Sequence, residues 1–111
     1  MIRATTPKHV FTFERDPSYF SKILITYSQN DKIVLEKEKQ DLNFEPMTNP
    51  SNKVVAYSAW FRMTQEEANK FMAGPGKQVQ VQVRVLTSDN EALASEKKTF
   101  NVQDVLNDEI L

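Results

Sequence analysis

Lys77-Gln78-Val79-Gln80-Val81-Gln82-Val83-Arg84-Val85-Leu86 is the stretch that decides the fold of this chain. Four valines recur at every second residue, with three glutamines and an arginine in the gaps. Successive strand side chains point to opposite faces, so one β-branched face lies on a core and one polar face points outward. The outward face is amide and guanidinium, with no acid, base or nucleophile arranged for chemistry. The pattern points to a β-domain that works by contact.

The flanking residues extend this reading. His9–Glu14 alternates, with Phe11 and Phe13 on one side, and stops near Asp16-Pro17. Lys22–Gln29 places Ile23, Ile25 and Tyr27 on one face. The Asn30-Asp31 turn then predicts a hairpin back through Ile33-Val34-Leu35. Leu42–Lys53 holds Pro46, Asn49, Pro50 and Asn52 and reads as a loop. In Lys53–Met63 the better apolar face is Val55, Tyr57, Ala59, Phe61 and Met63.

Thr64-Gln65-Glu66-Glu67 is a capping box, and Gly74-Pro75 lies beyond the last turn. Together they bound one short helix over about Gln65–Met72, with Ala68, Phe71 and Met72 as its buried stripe. Ser88–Glu91 is a turn, and Leu93–Val102 a single return strand. Short strands at hairpin spacing, with no strand–helix–strand alternation, predict an all-β fold. The expected form is an antiparallel immunoglobulin-like β-sandwich of roughly seven strands with one short helix. The expected domain is 1–103, and 104–111 is a C-terminal tail suited to assembly.

The 111 residues suffice for one core, and a net charge of −1 provides no broad positive field for nucleic acid or anionic lipid. With no cysteine, disulfides, thiolate metal sites and cysteine catalysis are excluded. Residues 1–7 have no apolar core of a signal peptide, and no stretch is long and apolar enough to span a bilayer. Synthesis in the cytoplasm is the expectation.

His9, the only histidine, has no evident catalytic or metal-binding partner and reads as a surface residue beside the first strand. The aspartates sit at turns and strand ends, where turn chemistry explains them. Gly74-Pro75-Gly76 follows a helix rather than preceding one, so it terminates the helix and does not cradle phosphate. The expectation is no enzyme activity, no cofactor and no metal.

Two features remain as candidate partner contacts. Trp60 falls by parity on the face opposite the core, next to Arg62, a composition common at protein interfaces and sugar-stacking platforms; the alternative is a strand covered on both faces, or a bulge that reverses the parity. The tail carries Val105, Leu106, Ile110 and Leu111 among acids, and these apolar residues need somewhere to dock, on their own domain or on a neighbour.

Several segments, taken in order, resemble a family of small virion proteins of tailed phages and prophages of Gram-positive bacteria. They are Met1-Ile2-Arg3 with Thr5-Thr6-Pro7, Phe11 and Phe13, Met63–Glu67, Val79–Thr87, Ala92–Ser95 and Asp104–Glu109. The resemblance implies a β-sandwich that assembles with itself or with other tail, baseplate or head proteins. It implies no defined active residues. Leu42–Ala59 departs from the family pattern by being longer, so no contact near Trp60 is carried over. The alternative expectation is a carbohydrate- or host-surface-binding module using Trp60.

Overall fold

The computed structural model describes all 111 residues as an antiparallel β-sandwich of eight strands. They are β1 (Lys8–Phe13), β2 (Phe20–Gln29), β3 (Lys32–Glu38), β4 (Asn43–Thr48), β5 (Val54–Arg62), β6 (Val79–Thr87), β7 (Ala92–Ala94) and β8 (Lys98–Phe100). One helical turn, α1 (Gln65–Ala68), joins β5 to the loop before β6. The smaller sheet has the order β1-β5-β4, and the larger runs β3-β2-β6-β7 with β8 also paired to β6.

The valine–glutamine strand is central, as its two-faced pattern requires. Val79, Val81, Val83 and Val85 face Gln29, Tyr27, Ile25 and Ile23 across the β2–β6 ladder. Ile23, Ile25 and Tyr27 are buried against Ala59 and Phe61 of the other sheet, with Met63, Phe71 and Val79 closing one end. Tyr27 sits among aromatic rings, in edge contact with Phe61, Phe71 and Phe100. Such offset and edge arrangements add to the burial energy of each ring.

The strand order has a gap. An immunoglobulin sandwich sets a four-stranded A-B-E-D sheet against G-F-C, extended by C′ in variable-type domains. Here β1-β5-β4 occupies the positions of B-E-D, and β7/β8-β6-β2-β3 those of G-F-C-C′. No strand stands in the A position beside β1. The residues that precede β1 instead bond to the end of the other sheet. Gln103 N–H donates to Met1 C=O, Arg3 N–H donates to Gln103 C=O, and Ile2 and Gln103 form a parallel bridge.

Four local expectations are corrected. Asn43–Thr48 is a strand and not part of a loop. It lies at a sheet edge, where Pro46 lacks a donor without breaking an inner ladder. The Leu93–Val102 return is two short strands, because Ser95–Lys97 leaves the ladder between them.

The helix ends at Ala68, four residues earlier than expected, with the loop turning before Met72 can reach the core. Met72 is therefore exposed while Ala68 and Phe71 are buried. The capping box itself forms as read, with the Glu67 amide donating to Thr64 Oγ1 and the Thr64 amide donating to Glu67 Oε1. Val55 stands out in solvent because the ladder to β4 shifts register there, from Met47↔Ala56 to Thr48↔Val54, and leaves it unpaired.

Candidate functional site

The outer face of the small sheet is the first surface on which contact chemistry collects. The β1–β5–β4 register sets Val10, Trp60 and Asn43 side by side, with Lys8 opposite Arg62. Ala59 and Phe61 point inward, so alternation turns Trp60 and Arg62 outward. Like charges directly across a ladder repel, and the two cations separate by choosing different partners. Arg62 Nη1 donates to the Thr6 carbonyl at 3.0 Å, while the Lys8 ammonium folds over the Trp60 ring, 4.2 Å from its centre.

Trp60 is half-buried under that lysine, and its indole N–H is buried with no acceptor within the chain. Val10 (54 %), paired directly with Trp60, remains exposed on the same face. A tryptophan capped by a cation and flanked by an exposed valine matches the composition of interface hot spots.

The second surface is the gap beside β1. Because the sheet of β1 stops one strand short, the inward faces of β6 and β7 continue past it uncovered. Val81, Val83 and Val85 are only half-buried, and Leu93 is exposed. With Phe11 and Phe13 of β1 they line an open groove of about 660 Å³. Among the lining residues, Glu14 and Glu96 balance Arg15 and Lys98.

The backbone of β1 is free along the same groove. Met63 N–H donates to Pro7 C=O, which makes that pair a hydrogen-bonded one in the β1–β5 ladder. Hydrogen-bonded pairs alternate, so His9, Phe11 and Phe13 bond to β5. The N–H and C=O groups of Lys8, Val10 and Thr12 therefore point toward the vacant side.

The tail lies back on the domain. Arg3 reaches Asp104 at 2.9 Å, Asp108 at 3.2 Å and the Asn69 carbonyl at 3.2 Å. The Asn69 amide donates to the Asp108 carbonyl, and the Gln65 side chain clasps the Leu111 backbone in both directions. These bonds hold the chain while leaving most apolar tips outside. Leu106 and Leu111 are fully exposed, Ile110 is partly so, and Val105 is half-buried. The tail lies at the α1 end of the molecule, where Ile110 lines a shallow depression with Thr6, Arg62 and Gln65.

The interior holds one polar pair, Tyr27, which the alternation of β2 turns inward, and His9, expected at the surface. His9 is not a surface residue: it packs on Tyr27, Phe61 and Phe100, because odd-numbered β1 positions face inward. Its Nδ1 lies 2.6 Å from the Tyr27 hydroxyl, which donates to it when Nε2 carries the ring proton. Burial, and then the nearby N-terminal ammonium, lower the His9 pKa; burial, and then Glu67, push that of Tyr27 well up. Both groups are thereby held neutral.

A half-buried Lys37–Glu67 ion pair of 2.5 Å ties β3 to α1, with the Lys37 ammonium also over the Phe61 ring. Burial would raise Glu67, but hydrogen bonds from Lys37 and from the Thr64 amide outweigh it and lower the pKa. No cluster of three or more histidine or carboxylate side chains is close enough together to hold a metal. Models of known protein families do not match this chain, and neither do curated proteins.

Proposed function

We propose that this chain is a non-enzymatic assembly module of the virion of a tailed phage or prophage. In that role it is made in the bacterial host cytoplasm and built into a tail, baseplate or head-associated structure. The observation that carries the assembly role is the outer face of the small sheet. Trp60, its indole N–H buried without an acceptor, lies there under Lys8 and beside exposed Val10. An aromatic anchor with an exposed valine beside it and a cationic rim suits a protein partner. The virion setting rests on the ordered resemblance of segments along the chain.

The alternative reading is a carbohydrate- or host-surface-binding module with Trp60 as the stacking platform. A sugar would need the ring face, and the Lys8 ammonium lies over it. We therefore place assembly first. The test is to induce particles from a Gram-positive host encoding this chain, purify them through a density gradient and identify their proteins by mass spectrometry. The chain should co-purify with intact particles in a fixed ratio to the other virion proteins. Particles that lack it would overturn the proposal, and binding on a glycan array by the isolated protein would favour the alternative.

A further inference from the structure

The gap beside β1 joins two deficits that one kind of ligand would remove together. One is a row of unpaired backbone groups on Lys8, Val10 and Thr12, facing away from β5. The other is the half-covered valine stripe of β6, which continues inward-facing beyond the last strand of the opposite sheet. In the immunoglobulin order a strand in the A position would bond to β1 and lie over β6 and β7.

We propose that this position accepts an extended segment from a different polypeptide, which completes the small sheet as a fourth strand. The inference rests on the assembly reading above and names the mode of contact. It is strand addition: main-chain hydrogen bonds hold the segment, and alternate side chains fill the groove.

The groove defines the segment. β1 has six residues, so its edge is about 20 Å long and takes a strand of about six residues. Apolar side chains at every second position would meet Phe11, Phe13, Val83 and Val85. The lining charges, Glu14 and Glu96 against Arg15 and Lys98, cancel, so the inward residues of the segment are uncharged.

A second copy of this chain fits poorly. Pairing two β1 edges would force both larger sheets, each projecting past its own β1, into the same space. The tail does not supply such a strand either. Its apolar residues come as the neighbours Val105-Leu106 and Ile110-Leu111, not at alternate positions, and it is already bound to Arg3, Gln65 and Asn69.

The test uses a capped synthetic peptide of alternating threonine and valine, added at millimolar concentration to the isotopically labelled full chain. Amide exchange at Val10 and Thr12 should slow by about tenfold or more, and the methyl signals of Val81, Val83 and Val85 should shift. Thr12→Pro removes a donor that points away from β5, so the fold should persist while peptide protection is lost. Val83→Thr, which keeps the shape but places a hydroxyl in the groove, should weaken binding without touching the β1 edge.

Unchanged exchange with the peptide, or equal binding by wild type and Thr12→Pro, would overturn the inference. So would a wild-type homodimer that Thr12→Pro converts to monomer, because the occupant would then be a second copy. Particle incorporation separates this outcome from the function. If wild type and Thr12→Pro both enter particles normally, the virion role stands and the strand acceptor falls. If neither does, the role itself falls.

Discussion

Gln29 ends β2 facing inward and is buried, yet it is a polar side chain in line with Ile23, Ile25 and Tyr27. Its amide meets three backbone groups of the loop that follows α1. Nε2 donates to the Met72 carbonyl at 2.7 Å and to the Lys77 carbonyl at 2.6 Å, while Oε1 accepts from the Met72 amide at 2.7 Å. The side chain thus acts as a rivet between the sheet and a glycine-containing loop.

Each such bond contributes about 1 kcal/mol net, so Gln29→Met, which keeps most of the volume and none of the bonds, should cost about 3 kcal/mol. That is a large share of the roughly 5–15 kcal/mol of a domain this size and corresponds to a fall in Tm of about 12 °C. Urea unfolding at an unchanged m-value is the assay, with amide exchange at Met72 as the local readout. Gln29→Met should speed exchange at Met72 before any global unfolding. A cost below about 1 kcal/mol, with Met72 still protected, would refute the rivet and mean that the loop satisfies itself.

Three further outcomes are expected. The pKa of His9 is lowered in the folded state, so the unfolded chain takes up a proton first as pH falls. Stability should be full above the ordinary imidazole range, decline from about pH 6.5 downward, and lose that decline in His9→Phe; calorimetry between pH 8 and 5, about the neutral imidazole range, measures it.

Trp60→Ala should cost about 1 kcal/mol, against the 3–5 kcal/mol typical of a core tryptophan, while reducing particle incorporation. Urea titration of the variant distinguishes the two locations. Removing 104–111 takes away the ion pairs of the half-buried Arg3 with exposed Asp104 and Asp108, and the tail bonds, so it should cost about 1 kcal/mol and leave the β-sheet circular dichroism spectrum intact. Collapse of that spectrum would show the tail to be part of the core.

Local pattern carried much of the architecture. The alternation at Val79–Val85 and at Ile23–Tyr27 specifies both a strand and its buried face, because a period of two has only one way to face a core. The Thr64–Glu67 cap was equally legible, since its bonds are made within four residues. Asn43–Thr48 was not, because what makes it a strand is the neighbouring β5, and two nearby prolines masked the edge position. His9 was misplaced for the same reason: its inward direction shows in the alternation, but its ring of Tyr27, Phe61 and Phe100 comes from three distant segments.

The candidate contacts divide along that line. Parity alone put Trp60 opposite Ala59 and Phe61, but only packing brought Lys8 over its ring. The sequence by itself determined β1, β2, β3, β5 and β6, the faces that β2 and β6 bury and that the chain makes an antiparallel sandwich. Those properties depend on neighbours one to four residues apart. Tertiary structure alone decided that the small sheet stops at β1, that the valines of β6 are left half-covered, and that Lys8, Val10 and Thr12 keep unpaired backbone groups. Which strand lies beside which depends on pairings across the whole chain, and no local pattern records a strand that is missing.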